Sequence, residues 1–294
     1  MSLRALLLAA LAFGWGGQIA AAGQPVTMWL AEGDTNRVYL LGSIHLLRQS
    51  DYPLPAVISA AYEDAEALVM ELDMDDLDAA AVQQLTRELG LLPPDRELRD
   101  VLGEAQYGEA LAAAEALDIP LEMLARTEPW LAAMTIEQMM LARIGFNPLH
   151  GVEMFMTRKA IEDGKPITGL EEVSEQLRFL DGLEQDAQVE LLLQTLEESR
   201  QLESLMDDVI AAWRIGDTDF LETSILAEMR QYPELYDSIV AERNRRWIAS
   251  LEDLLDDEED YLVIVGALHL VGDDGVPALL EKRGIPVRQM HETF

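Results

Sequence analysis

The sequence contains no cysteine. A thiolate nucleophile, a Cys-ligated zinc and a disulfide framework are therefore excluded. Any metal ion would have to be held by histidine, carboxylate or carbonyl groups. The sequence also lacks a long apolar run beyond its first residues, because no later segment reaches the ~18 apolar residues typical of a transmembrane helix. We therefore expect no membrane anchor in the mature protein.

Basic residues are scarce. The 294 residues include 21 Lys and Arg against 55 Asp and Glu, which gives a formal net charge of -34. A chain this acidic repels phosphate backbones and anionic lipid, so we expect no nucleic-acid partner. The charge is typical of a solvated, aggregation-resistant surface, but it also fits a salty habitat or a cationic partner. With 49% hydrophobic residues, the chain has enough apolar surface for one large domain or two small ones.

The N-terminal residues have the composition of a secretory signal peptide. Arg4 gives a positive start, residues 5–13 are apolar, and Ala20-Ala21-Ala22 offers a small-residue cleavage site. The apolar stretch is too short for a comfortable membrane span, and a buried N-terminal helix is the alternative. We predict a signal peptide over residues 1–22, a mature domain over residues 23–294, and a periplasmic or secreted location.

Strand-type and helix-type patterns alternate along the mature chain. Residues 26–30 and 37–41 form a predicted hairpin, and a helix after Pro55 leads to a buried strand over residues 67–72. Further strands are predicted at residues 167–170, 261–265 and 285–290. Apolar spacing predicts helices over residues 79–89, 104–117, 130–144, 152–162, 173–213 with a break near 181, 236–255, and about 273–282.

These patterns predict an α/β fold, with a mixed sheet flanked by helices and a large helical insert in the middle of the chain. The insert is expected over about residues 75–255. We expect the helical middle to form a lid or a substrate groove rich in Met and Leu.

Two segments of the chain resemble each other. Gly42-Ser43-Ile44-His45 and Gly266-Ala267-Leu268-His269 each follow a buried strand, and they use two of the four histidines. Ligands of open α/β sheets bind beyond the carboxyl ends of the strands, where glycine allows a sharp turn or a close approach. If the two strands are neighbours, the imidazoles of His45 and His269 converge on one ion.

Carboxylates at other strand ends would complete such a site. Glu71 and Glu171 each lie at the end of a predicted strand. A site of His and Glu without Cys suits Zn²⁺, Mn²⁺ or Co²⁺, and the ion lowers the pKa of its bound water. Both carboxylates also have structural interpretations: Glu71 as a helix cap or salt bridge, and Glu171 as a charge at a helix N-terminus.

Arg243 and Asn244 lie in a basic, amphipathic helix of an otherwise acidic chain. An arginine near the site could stabilise an oxyanion, and an asparagine could orient substrate or water. Local ion pairing along the helix is the alternative for Arg243.

The order of these motifs resembles the TraB/GumN family, which includes the TIKI-type metalloproteases. The motifs that carry the resemblance are Gly42-x-x-His45, Glu71 in Val-Met-Glu-Leu-Asp, Gly151-Val152-Glu153, Gly169-Leu170-Glu171, Glu242-Arg243-Asn244-Arg245 and Gly266-x-x-His269. The resemblance covers nearly the whole mature chain. It implies an EreA/ChaN-like α/β fold with both Gly-x-x-His motifs at the active centre. For the TIKI-type members it also implies metal-dependent proteolysis with Mn²⁺ or Co²⁺, while a similar fold binds haem.

The sequence therefore predicts a periplasmic metal-dependent hydrolase, a peptidase, acting on a peptide or protein substrate. The predicted metal ligands are His45, His269, Glu71 and Glu153. The predicted catalytic residues are Glu71, Glu171, Arg243 and Asn244. The alternative is a haem- or peptide-binding module without catalytic activity.

Overall fold

The computed structural model describes residues 24–292. The predicted signal peptide lies outside this range. Within it, the chain forms a six-stranded mixed sheet in the order β4-β3-β5-β2-β1-β6. The strands are β1 (Pro25–Glu32), β2 (Arg37–Ser43), β3 (Ala67–Met70), β4 (Ile167–Gly169), β5 (Tyr261–Gly266) and β6 (Val287–His291). The predicted α/β class with a mixed sheet is confirmed.

The four strands β2, β5, β3 and β4 run parallel, and the remaining two are antiparallel to their neighbours. β1 pairs with β2 as the predicted hairpin, and β6 closes the far edge against β1. Strands β3 and β5 are buried along their whole length, as expected for strands with covered faces. The carboxyl ends of the four parallel strands therefore meet along one edge of the sheet.

Helices pack around this sheet and extend beyond it. Their bounds are α1 (Ala56–Asp64), α2 (Ala79–Gly90), α3 (Leu98–Ala116), α4 (Pro129–Arg143), α5 (Val152–Asp163), α6 (Val173–Asp181), α7 (Gln185–Glu198), α8 (Leu202–Arg214), α9 (Thr218–Phe220), α10 (Ala227–Met229), α11 (Pro233–Tyr236), α12 (Glu242–Leu255) and α13 (Val276–Lys282). Short π-helical segments at Leu221–Leu226 and Asp237–Ala241 join several of them. Among residues 24–292, no helix combines the length and the apolarity that crossing a bilayer requires.

Helix α3 begins six residues earlier than the sequence predicts. Glu97 and Asp100 form a reciprocal capping box at its start, and Leu98 and Leu102 are buried in its first turns. Gly103 then adopts a φ of 72° inside the helix, which kinks it. The sequence predicts the helix only from residue 104, just after this kink, because Gly103 interrupts the helical spacing of apolar residues.

The middle of the chain contains a second apolar core. Residues of α3, α4 and α7, among them Ala110, Ile136 and Leu192, are buried in a cluster separate from the main core on the sheet. Strand β4 returns to the sheet between α5 and α6. The helical region over residues 75–255 is therefore interrupted by β4, and helices from both sides of that strand share the second core.

Candidate active site

The two Gly-x-x-His motifs follow neighbouring parallel strands. β2 and β5 pair directly, and Ser43 lies opposite Gly266 in the register. The motifs are therefore offset by one residue, because Gly42 pairs with Val265. The chain leaves β2 and β5 at the same edge of the sheet, which brings the segments that carry His45 and His269 side by side.

Gly266 lies at the centre of the site. A Cβ atom at this position would lie 3.3 Å from His45 Nε2, 3.4 Å from Glu71 Oε1 and 3.6 Å from His269 Cδ2. The three side chains thus face one small space in front of the Gly266 backbone. The two rings are far closer than the ~10 Å beyond which a single ion could not contact both.

His45 forms the outer half of the site with Glu153. Its Nδ1 lies 2.6 Å from Glu153 Oε1, and Ser43 donates a further hydrogen bond to the same oxygen. The His45 side chain is 59% exposed, whereas Glu153 at the start of α5 is largely covered. The Glu153 carboxylate raises the pKa of His45 to about 9. Burial alone would raise the pKa of Glu153, but His45 and Ser43 outweigh it and lower that pKa.

His269 forms the inner half and is buried. Asn244 Oδ1 lies 2.6 Å from its Nδ1, and Arg243 Nη1 lies 3.1 Å from its Nε2. The Trp247 ring packs against the imidazole with the centroids 4.6 Å apart. Burial lowers the pKa of His269 to about 3, so the ring is neutral at physiological pH. The amide oxygen accepts a hydrogen bond from Nδ1–H, which leaves the lone pair on Nε2.

Arg243 connects the buried carboxylates. Its guanidinium forms ion pairs with Glu71 and Glu171, including a 2.9 Å hydrogen bond from Nε to Glu171 Oε1. Glu71 Oε1 accepts the backbone N–H of Gly266 at 2.7 Å. Burial would raise the pKa of Glu71, but the facing His269, His45 and Arg243 outweigh burial and lower it to about 2. Glu71 is therefore a firmly ionised carboxylate and a weak base.

All seven residues that the sequence analysis singled out lie in this cluster. His45, Glu71 and Glu153 line an open cavity, while Glu171 and Asn244 are buried behind Arg243 and His269. Asn244 Nδ2 donates to the backbone oxygens of His269 and Asp274, which anchors the segment after β5 to α12. The alternative interpretation of Glu71 as a salt-bridged carboxylate also applies, because Glu71 forms an ion pair with Arg243 within this cluster.

Three further residues belong to the site, and the sequence analysis did not identify them. Gln176 donates to both Glu71 Oε2 and Glu171 Oε1, Ser43 donates to Glu153, and Trp247 packs on His269. Trp247 follows Arg243 by four residues, so helical spacing places both on one face of α12. Gln176 lies in α6 just after Glu171, where no sequence pattern distinguishes it.

The types of donor atom in the site are those that bind divalent ions. Glu153 and Asn244 hydrogen-bond to Nδ1 of His45 and of His269, so that both Nε2 atoms face Glu71. Hydrogen bonds of this kind orient metal-bound histidines. The spacing is less favourable, because Arg243 lies against both Glu71 and His269. Among residues 24–292, no three His, Asp or Glu side chains are arranged to hold an ion. An ion would therefore compete with Arg243 for Glu71 and His269.

A cavity of about 320 Å³ opens beside these groups. His45, Glu71, Glu153 and Gln176 form its polar wall. The rest of the lining is apolar and consists of Met70, Leu72, Met74, Pro148 and Met154. The exposed ring of His45 therefore lies where a ligand in the cavity would meet it.

Comparisons with known proteins place the same region in a family. The sequence model of the TraB/PrgY/gumN family matches residues 27–289, a range that contains every residue of the site. The chain is also similar to the uncharacterized protein YbaP of Escherichia coli (strain K12) and of Shigella flexneri. Each is 24% identical over 255 residues, which cover 82% of this chain and 87% of the relative. No solved structure matches the chain.

Proposed function

The chain belongs to the TraB/PrgY/gumN family, and from this premise we propose that it is a metal-dependent hydrolase that cleaves peptide bonds. The ion in this proposal is Mn²⁺, Co²⁺ or Zn²⁺, and the substrate is a peptide or protein. The predicted signal peptide places the activity in the periplasm or outside the cell.

The convergence of His45 Nε2, His269 and Glu71 Oε1 in front of Gly266 carries the proposal. Two imidazoles and one carboxylate match the donor types of catalytic divalent sites, and an ion would have to displace Arg243 from Glu71 and His269 to bind all three. Glu153 belongs to this set as the carboxylate that orients His45. A bound ion would supply a hydroxide nucleophile near neutral pH.

The remaining groups of the site support peptide hydrolysis, in which water adds across the C–N bond. The Arg243 guanidinium provides positive charge beside the reacting space, where an oxyanion develops on the substrate carbonyl. The leaving amine must gain a proton, and the attacking water releases one as it adds to the carbonyl. His45, which faces the cavity, could deliver that proton only when no ion occupies its Nε2. Glu171 and Asn244 act indirectly, because they hold Arg243 and His269 in place.

The position of Arg243 favours a second candidate, a hydrolase without a metal ion. In that case the guanidinium alone would balance the negative charge of Glu71 and of the reacting substrate. The haem-binding alternative is disfavoured, because Glu71 Oε1 faces the same small space as the two rings and a porphyrin bound between them would have to displace it. A peptide-binding module that does not cleave is an outcome of the experiment below.

The test uses purified mature protein freed of metal with a chelator. It is incubated with a peptide library, alone and with Mn²⁺, Co²⁺ or Zn²⁺, and the products are identified by mass spectrometry. We expect metal-stimulated cleavage that disappears in His45→Ala, whose side chain is exposed enough for the variant to fold. His291→Ala, at the far edge of the sheet, is the matched control and should cleave normally.

Each other outcome rejects a stated part of the proposal. Cleavage that resists chelation and requires Arg243 would support the metal-free hydrolase. Peptide binding without products would reject hydrolysis and support the binding module. Tight haem binding in a parallel titration, with no cleavage, would reject the hydrolase in favour of a haem protein.

A further inference from the structure

The cavity beside His45 has one polar and one apolar side. Its polar side carries the proposed reacting groups, and its apolar side is formed by Met70, Leu72, Met74, Pro148 and Met154. At about 320 Å³ it lies at the small end of the range for ligand sites, roughly 300–1,000 Å³. This volume suits one large side chain of a peptide better than an extended ligand.

Separate elements supply the apolar wall. Met70 ends β3 and is fully buried, Met74 lies in the loop after it, and Met154 lies in the first turn of α5. Met74 and Met154 are partly exposed. Methionine is unbranched and adapts its shape to a bound apolar group, so these two side chains allow the wall to accept more than one kind of substrate side chain.

The charge around the cavity disfavours acidic side chains. Glu71 and Glu153 lie on its wall, and Glu171 lies behind them. Arg243 offsets part of this charge. A substrate carboxylate in the cavity would lose its hydration against the apolar wall and lie beside Glu71 and Glu153.

We infer that this cavity is a specificity subsite that receives a large apolar side chain, such as Leu, Met or Phe, next to the bond that is cleaved. The inference rests on the proposed peptidase activity and names its substrate class. The occupant is a substrate side chain because the apolar wall is continuous with His45 and Glu71. A residue bound there places its own backbone against these groups.

The first experiment measures selectivity. Peptides that differ at one position, with Gly, Leu, Phe or Asp, are compared by kcat/KM. Burial of a large apolar side chain should favour Leu and Phe over Gly by about 10- to 100-fold, and Asp should be the poorest substrate. Met154→Ala should shift the preference from Leu toward Phe, because it enlarges the cavity. Met123→Ala is the matched control, since Met123 is 72% exposed and does not line the cavity.

The second experiment does not depend on catalysis. The methionine methyl groups are labelled with carbon-13 and observed by NMR while N-acetyl-leucinamide or N-acetyl-glycinamide is added. The leucine compound should shift the Met74 and Met154 signals and leave Met123 unchanged, and the glycine compound should have little effect.

Together the two experiments separate the subsite from the activity. Shifts at Met74 and Met154 without cleavage of any peptide would keep the subsite and reject the hydrolase. Cleavage with equal kcat/KM for Leu and Gly and no methyl shifts would reject the subsite and keep the hydrolase. Neither cleavage nor shifts would overturn both.

Discussion

Asn244 fixes the ring of His269 in one orientation. Its Oδ1 lies 2.6 Å from His269 Nδ1, while its Nδ2 donates to the backbone oxygens of His269 and Asp274. The two donor bonds define which end of the amide faces the imidazole. Nδ1 of His269 therefore carries the proton, and Nε2 presents its lone pair to Arg243.

The two motif histidines are held in the same way but differ in charge. The Glu153 carboxylate holds Nδ1 of His45 and raises the pKa of that ring to about 9, whereas burial lowers the pKa of His269 to about 3. At neutral pH and without a metal ion, the site contains one imidazolium and one neutral imidazole. Environments that push two pKa values apart assign different acid–base roles to like residues.

Replacing Asn244 with Ala should reduce activity more than it reduces stability. Loss of the amide frees the ring of His269, and loss of an outer-shell partner of this kind costs about 10- to 100-fold in activity or metal affinity. It also leaves two backbone oxygens unpaired, at about 1–3 kcal/mol each. The measurements are kcat/KM and chemical denaturation.

Asn36→Ala is the matched control for this substitution. Asn36 is buried in the β1–β2 turn and also donates two hydrogen bonds to backbone oxygens, those of Leu254 and Glu259. It should lose a similar amount of stability and keep its kcat/KM. Equal losses of activity in both variants would show that Asn244 acts through stability alone.

Arg243→Lys should impair the site although it keeps the charge. One ammonium group cannot pair with Glu71, Glu171 and His269 at once, whereas the planar guanidinium does so. Arg243→Leu should be worse, with a loss of about 3–5 kcal/mol, because it leaves two covered carboxylates without their cationic partner. Denaturation curves and kcat/KM provide the test.

Arg245→Lys, two residues further along α12, is the control for the charge-conserving change. Arg245 is half exposed and pairs with Asp237 at the surface, so its replacement should change stability by less than about 0.5 kcal/mol. If Arg243→Lys matched this control in stability and activity, the planar guanidinium of Arg243 and its simultaneous contacts would not matter to the site.

Much of the sheet was predictable because most of its strands are short apolar runs. Alternation and buried runs identified the hairpin and the strands near residues 67, 167 and 261, and all of these are present. The antiparallel pairing of β6 with β1 was not predictable, because strand order depends on contacts between distant segments. The second core was also missed, since apolar helix faces alone do not specify which helices pack together.

The residues of the site were predictable, but their partnerships were not. Gly-x-x-His after a buried strand identifies His45 and His269, because the motif occurs twice and uses two of the four histidines. Nothing in the spacing pairs Glu153 with His45 or places Arg243 between Glu71 and Glu171, since these contacts join residues 72 to 172 positions apart. Sequence-based reasoning left Arg243 either as an oxyanion-stabilising group or as a member of local ion pairs along its helix. In the structure its ion pairs reach Glu71 and Glu171 on other elements.

Glu153→Gln should change the titration of His45. In metal-free protein we expect the His45 ring signal to titrate near pH 9, and Glu153→Gln should move this midpoint toward the ordinary value of 6.5, because the carboxylate is the main cause of the shift. NMR of the ring protons measures both midpoints. Midpoints near 6.5 in both proteins would contradict the prediction.

The same pair predicts how stability depends on pH. A pKa that is higher in the folded than in the unfolded state stabilises the fold below pH 6.5, and this contribution disappears as the pH rises to about 9. Because His45 is 59% exposed, solvent screening should limit the effect to about 1 kcal/mol or less. Denaturation at pH 6 and pH 9.5 should show the difference in the wild type and a smaller one in Glu153→Gln.

Gly266→Ala should inactivate the protein while it remains folded. The φ of -51° and ψ of 137° at Gly266 are open to alanine, so the backbone is not strained. The new methyl group would lie 3.3 Å from His45 Nε2 and 3.4 Å from Glu71 Oε1, where it fills the space that substrate or ion would occupy. A misplacement of this size costs on the order of 100-fold in rate.

Gly108→Ala is the control for the Gly266 variant, because it adds the same methyl group outside the site. A Cβ at Gly108 meets nothing within 4 Å on the surface of α3, so alanine should stabilise the helix by about 0.5–1 kcal/mol and leave activity unchanged. Thermal unfolding and kcat/KM are measured for both variants beside the wild type. Full activity in Gly266→Ala would mean that the chemistry does not take place between His45, Glu71 and His269.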